Sequence, residues 1–388
     1  MSVGIAERSP RIRDGLREVT LVYLGVRLLL FVLSAFGDGL VALPPGQPTS
    51  VPGWPAHIPS YSWTALFTAT ERQDALWFLR IATGGYRPFD GSAAFFPLYP
   101  LAVRILDAVP GIGTLAAALL AANAACFGAL LLLHALTRLE LGGEAARRTI
   151  VFQALFPTAF FLMAPYTEPL FLLLSVATFW CARRGRWGWA AAMGAGAAAT
   201  RSIGLLLIPA LAVEALAQWR RREGPLLPRL LASVAIGVGP ALYFAYWGWR
   251  DGNLWAPLDA QATWSRHPTS PLRSLGHAVT LAWQYRGWWL VDLTLVTLAV
   301  AGVIVAARKV PLAYTVYAGA SILLPLSFPY WDRPLLSMPR FVVVLFPAMW
   351  GFAIAAAKKR PPEVAIVVAF AAGYGLLAVS FMNWGYIF

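Results

Sequence analysis

Long apolar runs, punctuated by short groups of arginines or lysines, are the feature that most constrains how this chain can fold. Hydrophobic residues fill 59% of the 388 positions, and the mean hydropathy is +0.63. A water-soluble globular domain of this length would not tolerate so much apolar surface, whereas a lipid bilayer accepts it. We therefore predict an all-α polytopic membrane protein that forms a single transmembrane domain over residues 1–388.

The basic residues indicate the orientation in the membrane. Several arginines lie in residues 1–18, before the first apolar run, and most of the 31 lysines and arginines would share their side of the membrane. Because basic residues are retained on the cytoplasmic side, we predict a cytoplasmic N-terminus and about eleven spans. The formal net charge of +13 then reflects topology, and no nucleic-acid partner is implied. The preference for arginine over lysine and the abundance of alanine indicate a GC-rich bacterial genome, which favours the plasma membrane.

This topology places three segments outside the cell, at residues 41–111, 250–287 and 329–340. The first is long for a connection between spans, and loops of that length are usually functional. Within it, residues 72–104 combine charged side chains with aromatic ones, which an ordinary lipid-facing helix would not do. We predict that this stretch forms a hairpin of short amphipathic helices at the membrane surface.

Asp74 is the central charge of the predicted hairpin. At helical spacing it shares one face with Trp77, Phe78 and Ile81. Burying an unpaired carboxylate costs several kcal/mol, so a fold keeps one among apolar residues for a partner or for chemistry. We interpret Asp74 as a catalytic residue, and a helix cap or a salt bridge to Arg72 is the alternative.

Other arginines gather with Asp74 on the external side. Their guanidinium groups would suit a phosphate carried by a lipid, although about half would be expected to reach lipid headgroups instead. Arg340 is the best candidate, because it begins a span directly after a proline-containing external segment and can face a lateral opening. The arginines of this group are Arg80, Arg87, Arg104, Arg201, Arg266, Arg333 and Arg340.

Several motifs resemble the GPI mannosyltransferase 2 (PIG-V) family and its bacterial relatives. The most specific is the run AFFPLYP at residues 94–100. In place of the tryptophan that this family usually has before the aspartate, this chain has Gln73. The further matches are Asp74 with Ile81-Ala82 and Gly85-Tyr86, Phe156-Pro157 with Tyr166-Thr167-Glu168, Thr200-Arg201 with Gly204, Gln261 with Trp264 and Arg266, and Pro339-Arg340-Phe341 with Phe346-Pro347.

The resemblance implies a GT-C glycosyltransferase fold and the transfer of a sugar, typically mannose, from a polyprenyl-phosphate carrier. The acceptor would be a hydroxyl of a lipid, a glycolipid or another molecule at the external membrane face, and the reaction would proceed with inversion. A lipid phosphate is a good leaving group, so such an enzyme needs a base for the acceptor and cations for the phosphate. Asp74 fits the base, and Arg340, helped by Arg201 or Arg266, fits the phosphate site.

The remaining candidates have weaker support from the sequence. His267 could contact the donor phosphate, although a single histidine in a polar loop is more often solvated. Glu168 could pair with Arg201, and a tryptophan could stack on the sugar. The residues assigned to the substrate pocket are Trp77, Arg80, Tyr86, Phe96, Glu168, Gln261 and Trp264.

The histidines and acidic residues of the chain imply neither a metal nor another cofactor. The histidines show no ligand spacing, and no second acidic residue stands beside Asp74 in the sequence. The alternative from another functional class is a transporter or flippase for a lipid-linked or small polar substrate, with Asp74 and the arginines along its path. Transporters tend to place charges at the membrane midplane and to contain repeats, whereas the charges here collect at one face.

Overall fold

The computed structural model describes residues 12–40, 49–55, 62–263, 265–357 and 360–385. Within these ranges the backbone is helical and contains no strand, only isolated bridges between Val51 and Trp54 and between Arg266 and Tyr330. The predicted all-α class is therefore confirmed. The helices are α1 (Leu16–Gly37), α2 (Ala65–Thr68), α3 (Asp74–Gly84), α4 (Leu98–Asp107), α5 (Thr114–Leu141), α6 (Gly143–Leu155), α7 (Glu168–Arg183), α8 (Trp187–Thr200), α9 (Leu207–Arg220), α10 (Leu226–Val234), α11 (Val238–Asp251), α12 (Ala256–Thr263), α13 (Pro271–Tyr285), α14 (Gly287–Ala307), α15 (Leu312–Leu326), α16 (Met338–Val343), α17 (Phe346–Ala356) and α18 (Arg360–Met382).

Several of these helical segments could cross a membrane, so the chain is a multi-pass membrane protein. Six in the described part of the chain are long and apolar enough: Arg13–Gly37, Thr114–Leu141, Ser202–Arg220, Leu226–Asp251, Gly287–Ala307 and Pro361–Met382. Two shorter apolar helices, α15 and α17, accompany them. Each apolar run predicted as a span contains a helix. The number of about eleven spans stays a prediction, because α7 and α8 have only 16 and 14 residues.

The apolar run at residues 150–165 is a broken helix rather than a continuous one. Phe156 leaves the helix with φ −50° and ψ 140°, because the ring of Pro157 clashes with a helical conformation of the residue before it. The Met163 carbonyl that follows accepts hydrogen bonds from Asn123 Nδ2 at 3.2 Å and Arg27 Nη1 at 3.3 Å. Irregular backbone at membrane depth is tolerated where protein groups satisfy it in this way. The irregular segment leads directly to the start of α7.

The two ends of α1 show that Asp74 and the N-terminal charges lie at opposite ends of the bundle. Near its start, Glu18 contacts His134 at 3.2 Å, next to the end of α5. At its other end, Asp38 pairs with Arg72 at 2.7 Å, two residues before Asp74. A helix of 22 residues is about 33 Å long. The separation places Asp74 and the N-terminal charges on opposite sides of the membrane, and the external location of the Asp74 end stays a prediction.

Helix α7 connects the same two ends. Its last residue, Arg183, donates to Glu140 at 2.7 Å and to Glu214 at 3.0 Å, and Glu140 also accepts from Tyr314 at 2.8 Å. These contacts join α5, α7, α9 and α15 at the end opposite Asp74. The first residue of α7, Glu168, lies at the Asp74 end. Both termini of α7 are thereby fixed by buried ion pairs.

The alanine- and glycine-rich helix α8 packs closely against α11, as its composition predicts. A Cβ atom on Gly239 would lie 2.1 Å from the carbonyl oxygen of Ala195, so only glycine fits there. Helix α8 ends at Thr200, and the chain turns into an extended conformation at Arg201. This close packing fixes where Arg201 enters the Asp74 end of the bundle.

Candidate active site

Asp74, Glu168, Arg201 and Arg340 form one network of ion pairs, called here the ion cluster. Arg340 Nη1 donates to Asp74 Oδ2 at 2.5 Å, and Arg340 Nε donates to Glu168 Oε1 at 2.7 Å. Arg201 Nη1 donates to the same oxygen of Glu168. The structure thus brings the predicted base together with two of the arginines predicted to bind phosphate.

Burial within the ion cluster is uneven. The Glu168 side chain is fully buried, and those of Arg340 and Arg201 are 7% and 10% exposed, whereas the Asp74 side chain is 21% exposed. An incoming molecule can therefore reach Asp74 more readily than Glu168. The buried Glu168 carboxylate, which pairs with two guanidinium groups, fits a structural role, because its loss would leave buried charges unpaired.

The residues before Glu168 support the same cluster. Arg201 Nη1 also donates to Thr167 Oγ1 at 3.3 Å, and the Arg340 guanidinium lies 5.0 Å from the centre of the Tyr166 ring. Such a position over an aromatic face stabilises a cation. Tyr166, Thr167 and Glu168 therefore act together as a platform for the two arginines.

Among the described residues Arg72 does not pair with Asp74, so the alternative of a salt bridge between these two residues is wrong. Asp74 is the first residue of α3 rather than its cap, and its salt bridge goes to Arg340. The Arg72 guanidinium instead binds the C-terminal ends of three helices. Nη2 donates to the Asp38 carboxylate after α1, Nη1 donates to the Thr68 carbonyl of α2, and Nε donates to the Met382 carbonyl of α18. The distances are 2.7, 3.0 and 2.7 Å. Helix C-termini expose unpaired carbonyls and partial negative charge, which a guanidinium satisfies. Arg72 thus anchors the start of α3.

Gln73 connects this anchor to Asp74 in a strained conformation. Its φ is +55°, in a region that side-chain-bearing residues seldom occupy and that is often found at functional sites. Its Nε2 donates to the Gly385 carbonyl at 3.0 Å. The end of the described chain therefore packs beside Gln73. Sequence analysis missed these supports, because no local pattern links residues 72–73 to residues 382–385.

Arg266 contributes a positive charge close to the ion cluster. Its Nη1 donates to the Phe328 carbonyl at 3.1 Å and its Nη2 to Ser337 Oγ at 2.8 Å. Burial lowers the pKa of Arg266, and so does the charge of Arg340, whereas Asp74 raises it. Among the described residues, none of its hydrogen bonds goes to a carboxylate. Arg266 therefore adds positive charge that no nearby acid in this part of the chain pairs with directly.

Three of the predicted pocket residues contact other parts of the hairpin. Arg80 is buried and pairs with Asp90. The rings of Tyr86 and Phe96 lie 5.4 and 5.3 Å from that of Tyr243 on α11. The described contacts of these residues hold the hairpin together and join it to α11 rather than to the ion cluster. Their assignment to the pocket stays a prediction.

The other candidates differ in how far the structure places them. Trp77 is buried one turn after Asp74 on α3 and stacks on Phe95, with ring centres 5.4 Å apart. Gln261 is half-buried on α12, and His267 is exposed. Trp264 lies outside the described residues. No group of three His, Cys, Asp or Glu that could hold a metal ion is found in the described part of the chain.

The arrangement provides a partly open carboxylate beside several guanidinium groups. The ion cluster contains two acids and two arginines, so its formal charges cancel, and Arg266 leaves a net positive charge. A site of this kind can hold an anion next to a base. Arg72 and Gln73 hold the start of α3, where Asp74 lies, and the arginines are held by Glu168 and by the segment around Ser337.

Comparisons with known proteins point in the same direction. A sequence model of the family described as Mannosyltransferase (PIG-V) matches residues 21–220. No curated protein sequence matches the chain. The crystal structure of ArnT from Cupriavidus metallidurans bound to undecaprenyl phosphate is similar, with 14% identity and a TM-score of 0.51 over 95% of this chain and 76% of that one. The apo structure of ArnT from the same organism gives 15% identity and a TM-score of 0.52, with 95% and 77% covered.

The family match covers more than half of the chain, and the structural likeness, at this low identity, concerns the fold alone. The predicted GT-C fold is thereby confirmed, with α3 and α4 in the predicted first external segment. This chain belongs to the mannosyltransferase (PIG-V) family and is a membrane glycosyltransferase of the GT-C type.

Proposed function

We propose that this protein transfers mannose from a polyprenyl-phosphate carrier to a hydroxyl of a lipid-linked or other acceptor, at the external face of the bacterial plasma membrane. The observation that supports this most is the contact between Asp74, the most exposed acid of the ion cluster, and the buried Arg340. The family points to mannose, and the ArnT structure that holds undecaprenyl phosphate is consistent with a polyprenyl-linked donor.

Asp74 is the proposed base. Its Oδ2 is engaged by Arg340, while its Oδ1 makes no hydrogen bond among the described residues. In the proposed reaction the acceptor oxygen bonds to C1 of the sugar, its proton passes to Asp74, and the bond from C1 to the phosphate oxygen breaks. The electron pair leaves with the polyprenyl phosphate, and attack opposite this leaving group inverts C1.

Arg340 and Arg266 are the proposed contacts of the departing phosphate. Both lie near Asp74, and both are fixed by contacts to other parts of the protein. Fixed cations in a partly buried site stabilise charge as it develops, without the cost of reorganising solvent. Arg201 is proposed to act mainly through Glu168, and the exposed His267 remains a candidate for the phosphate at the edge of the site.

The distribution of basic residues and the position of Asp74 support the proposed external location. Asp74 lies at the end of α1 opposite Arg13 and Arg17, and basic residues favour the cytoplasmic side. A cysteine placed in the predicted first external segment, at the exposed Phe89, should react with a membrane-impermeant maleimide on intact cells. A cysteine at the exposed Arg221 should react only after the membrane is opened. The reverse pattern would contradict this orientation.

The reaction can be tested with the purified protein in lipid nanodiscs. We expect radiolabelled polyprenyl-phosphomannose and a membrane lipid extract to give a new labelled product. The matched polyprenyl-phosphoglucose should react poorly. Preferential use of the glucose donor would show that the proposed sugar is wrong, and the absence of product with either donor would contradict the proposed reaction.

A further inference from the structure

We propose that Ser337 is a positioning residue that sets the spacing between Arg266 and Arg340. The inference rests on the proposed function, in which these two arginines contact the donor phosphate. Ser337 lies in the third external segment, directly before α16, and no sequence motif singles it out. The substrate group that it would serve is the phosphate of a prenyl-phosphate sugar.

Ser337 touches both arginines with different atoms. Its side-chain Oγ accepts a hydrogen bond from Arg266 Nη2 at 2.8 Å. Its backbone carbonyl accepts one from the backbone N–H of Arg340 at 3.0 Å, in the first turn of α16. A shift of Ser337 would therefore move Arg266 and Arg340 relative to each other. A phosphate held by two guanidinium groups is sensitive to such a change, because these hydrogen bonds are directional.

The backbone of Ser337 is strained for a serine. Its φ of +76° and ψ of −18° lie in the left-handed region, where glycine is favoured. Serine before a helix normally uses its hydroxyl to cap the first turn, but this hydroxyl makes no such bond and contacts Arg266 instead. Strain of this kind is usually retained where function requires it. Glycine would suit the backbone better but could not hold Arg266.

The segment around Ser337 is anchored well enough to act as a frame. Arg333 donates to both carboxylate oxygens of Asp292 on α14, at 2.6 and 2.8 Å, and both side chains are buried. Earlier in the segment, Thr269 N donates to the Ser327 carbonyl at 2.9 Å, near the bridge between Arg266 and Tyr330. The second and third external segments are thus joined to each other and to α14. The Ser337 hydroxyl has a fixed position from which to direct Arg266.

The test compares Ser337→Gly, Ser337→Ala and Ser337→Asn in the full chain, in nanodiscs. The matched control is Ser327→Ala, because the Ser327 hydroxyl bonds the Leu323 carbonyl of its own helix and not Arg266. The measurements are the affinity for farnesyl phosphate, with farnesol as the uncharged comparison, the donor KM and kcat, and the midpoint of thermal unfolding.

We expect Ser337→Gly to keep or raise the unfolding midpoint while it weakens binding of farnesyl phosphate. Losing a hydrogen bond to a charged group corresponds to roughly a 10- to 100-fold change, and donor KM should rise in the same proportion. Ser337→Ala should show the same loss without relief of strain. Ser337→Asn tolerates the left-handed conformation and keeps an acceptor oxygen, so it should recover part of the affinity. A purely structural role would lower midpoint and affinity together.

Three outcomes would overturn the proposal. The first is wild-type affinity for farnesyl phosphate in both Ser337→Gly and Ser337→Ala, and the second is an equal loss in Ser327→Ala. The third is a wild-type protein that binds farnesol as tightly as farnesyl phosphate. A wild-type protein that binds farnesyl phosphate but forms no product would contradict the proposed transfer, while the affinities would still decide the role of Ser337.

Discussion

Replacing Asp74 with asparagine separates the proposed base from its structural role. Asparagine has nearly the same shape and keeps an oxygen that can accept the hydrogen bond from Arg340, but it cannot take up a proton at neutral pH. The Asp74 side chain is partly exposed, and Arg340 keeps its bond to Glu168. We therefore expect the variant to lose only about 1 to 2 kcal/mol in unfolding free energy, because one charged hydrogen bond is weakened rather than removed.

The expected loss of activity is much larger than this loss of stability. General base catalysis contributes roughly 10²- to 10⁴-fold to a rate, which corresponds to about 3 to 5 kcal/mol of activation free energy. Asp74→Asn should therefore lower transfer by that factor in protein that is still folded. Removing Arg340 would not give so clean a result, because Glu168 would lose one of its two buried arginines.

The assay measures transfer of radiolabelled mannose by purified protein in nanodiscs, normalised to the folded fraction from size-exclusion chromatography. Asp107→Asn is the matched control. Asp107 ends α4 near the same hairpin, and its carboxylate accepts a hydrogen bond from Thr114 at 3.1 Å. We expect this control to transfer mannose at close to the wild-type rate. If folded Asp74→Asn did so as well, Asp74 would not be the base.

Three further predictions concern the supports of the site. Glu168→Gln removes the carboxylate shared by two buried arginines, so we expect a loss of about 3 to 5 kcal/mol in chemical unfolding, and an unchanged midpoint would contradict this. Arg72→Gln should lower kcat per folded protein, whereas Arg183→Gln at the other end of the bundle should lower only the unfolding midpoint. Equal kcat values in these two variants would argue against a role for Arg72 in holding Asp74. Exchanging Asp292 and Arg333 for each other should recover part of the stability lost in either single substitution, as a double-mutant cycle would show.

The local part of the site could be predicted from the sequence. The spacing of Asp74, Trp77 and Phe78 depends only on helical periodicity, and these residues share α3 in the structure. The contacts of Arg340 with Glu168 and Asp74 cross 172 and 266 positions of the chain and depend on how the helices pack. No spacing rule predicts such contacts. For the same reason the sequence allows Arg72 as a partner for Asp74, whereas in the structure Arg72 pairs with Asp38.

The fold shows a similar division. Apolar runs predict helices well, because a bilayer requires every backbone group to be satisfied within its own segment. The break at Phe156-Pro157 is also readable from the proline. The position of the segment after the break cannot be predicted from the sequence. It depends on donors from two other helices, Asn123 and Arg27, which both bind the Met163 carbonyl. Sequence alone therefore places the elements but not the cluster that they form.

The ion cluster also suggests how the proposed reaction keeps its charges balanced. Asp74 occupies one edge of the Arg340 guanidinium. In the proposed reaction Asp74 accepts the acceptor's proton and loses its negative charge, while the phosphate gains negative charge as its bond to the sugar breaks. The interaction of Arg340 with Asp74 therefore weakens while its interaction with the phosphate strengthens. The total charge of the site stays constant. A change in net charge is energetically costly in a partly buried site of low dielectric constant. A cluster that contains both the base and the cation therefore favours concerted transfer of the proton and the sugar.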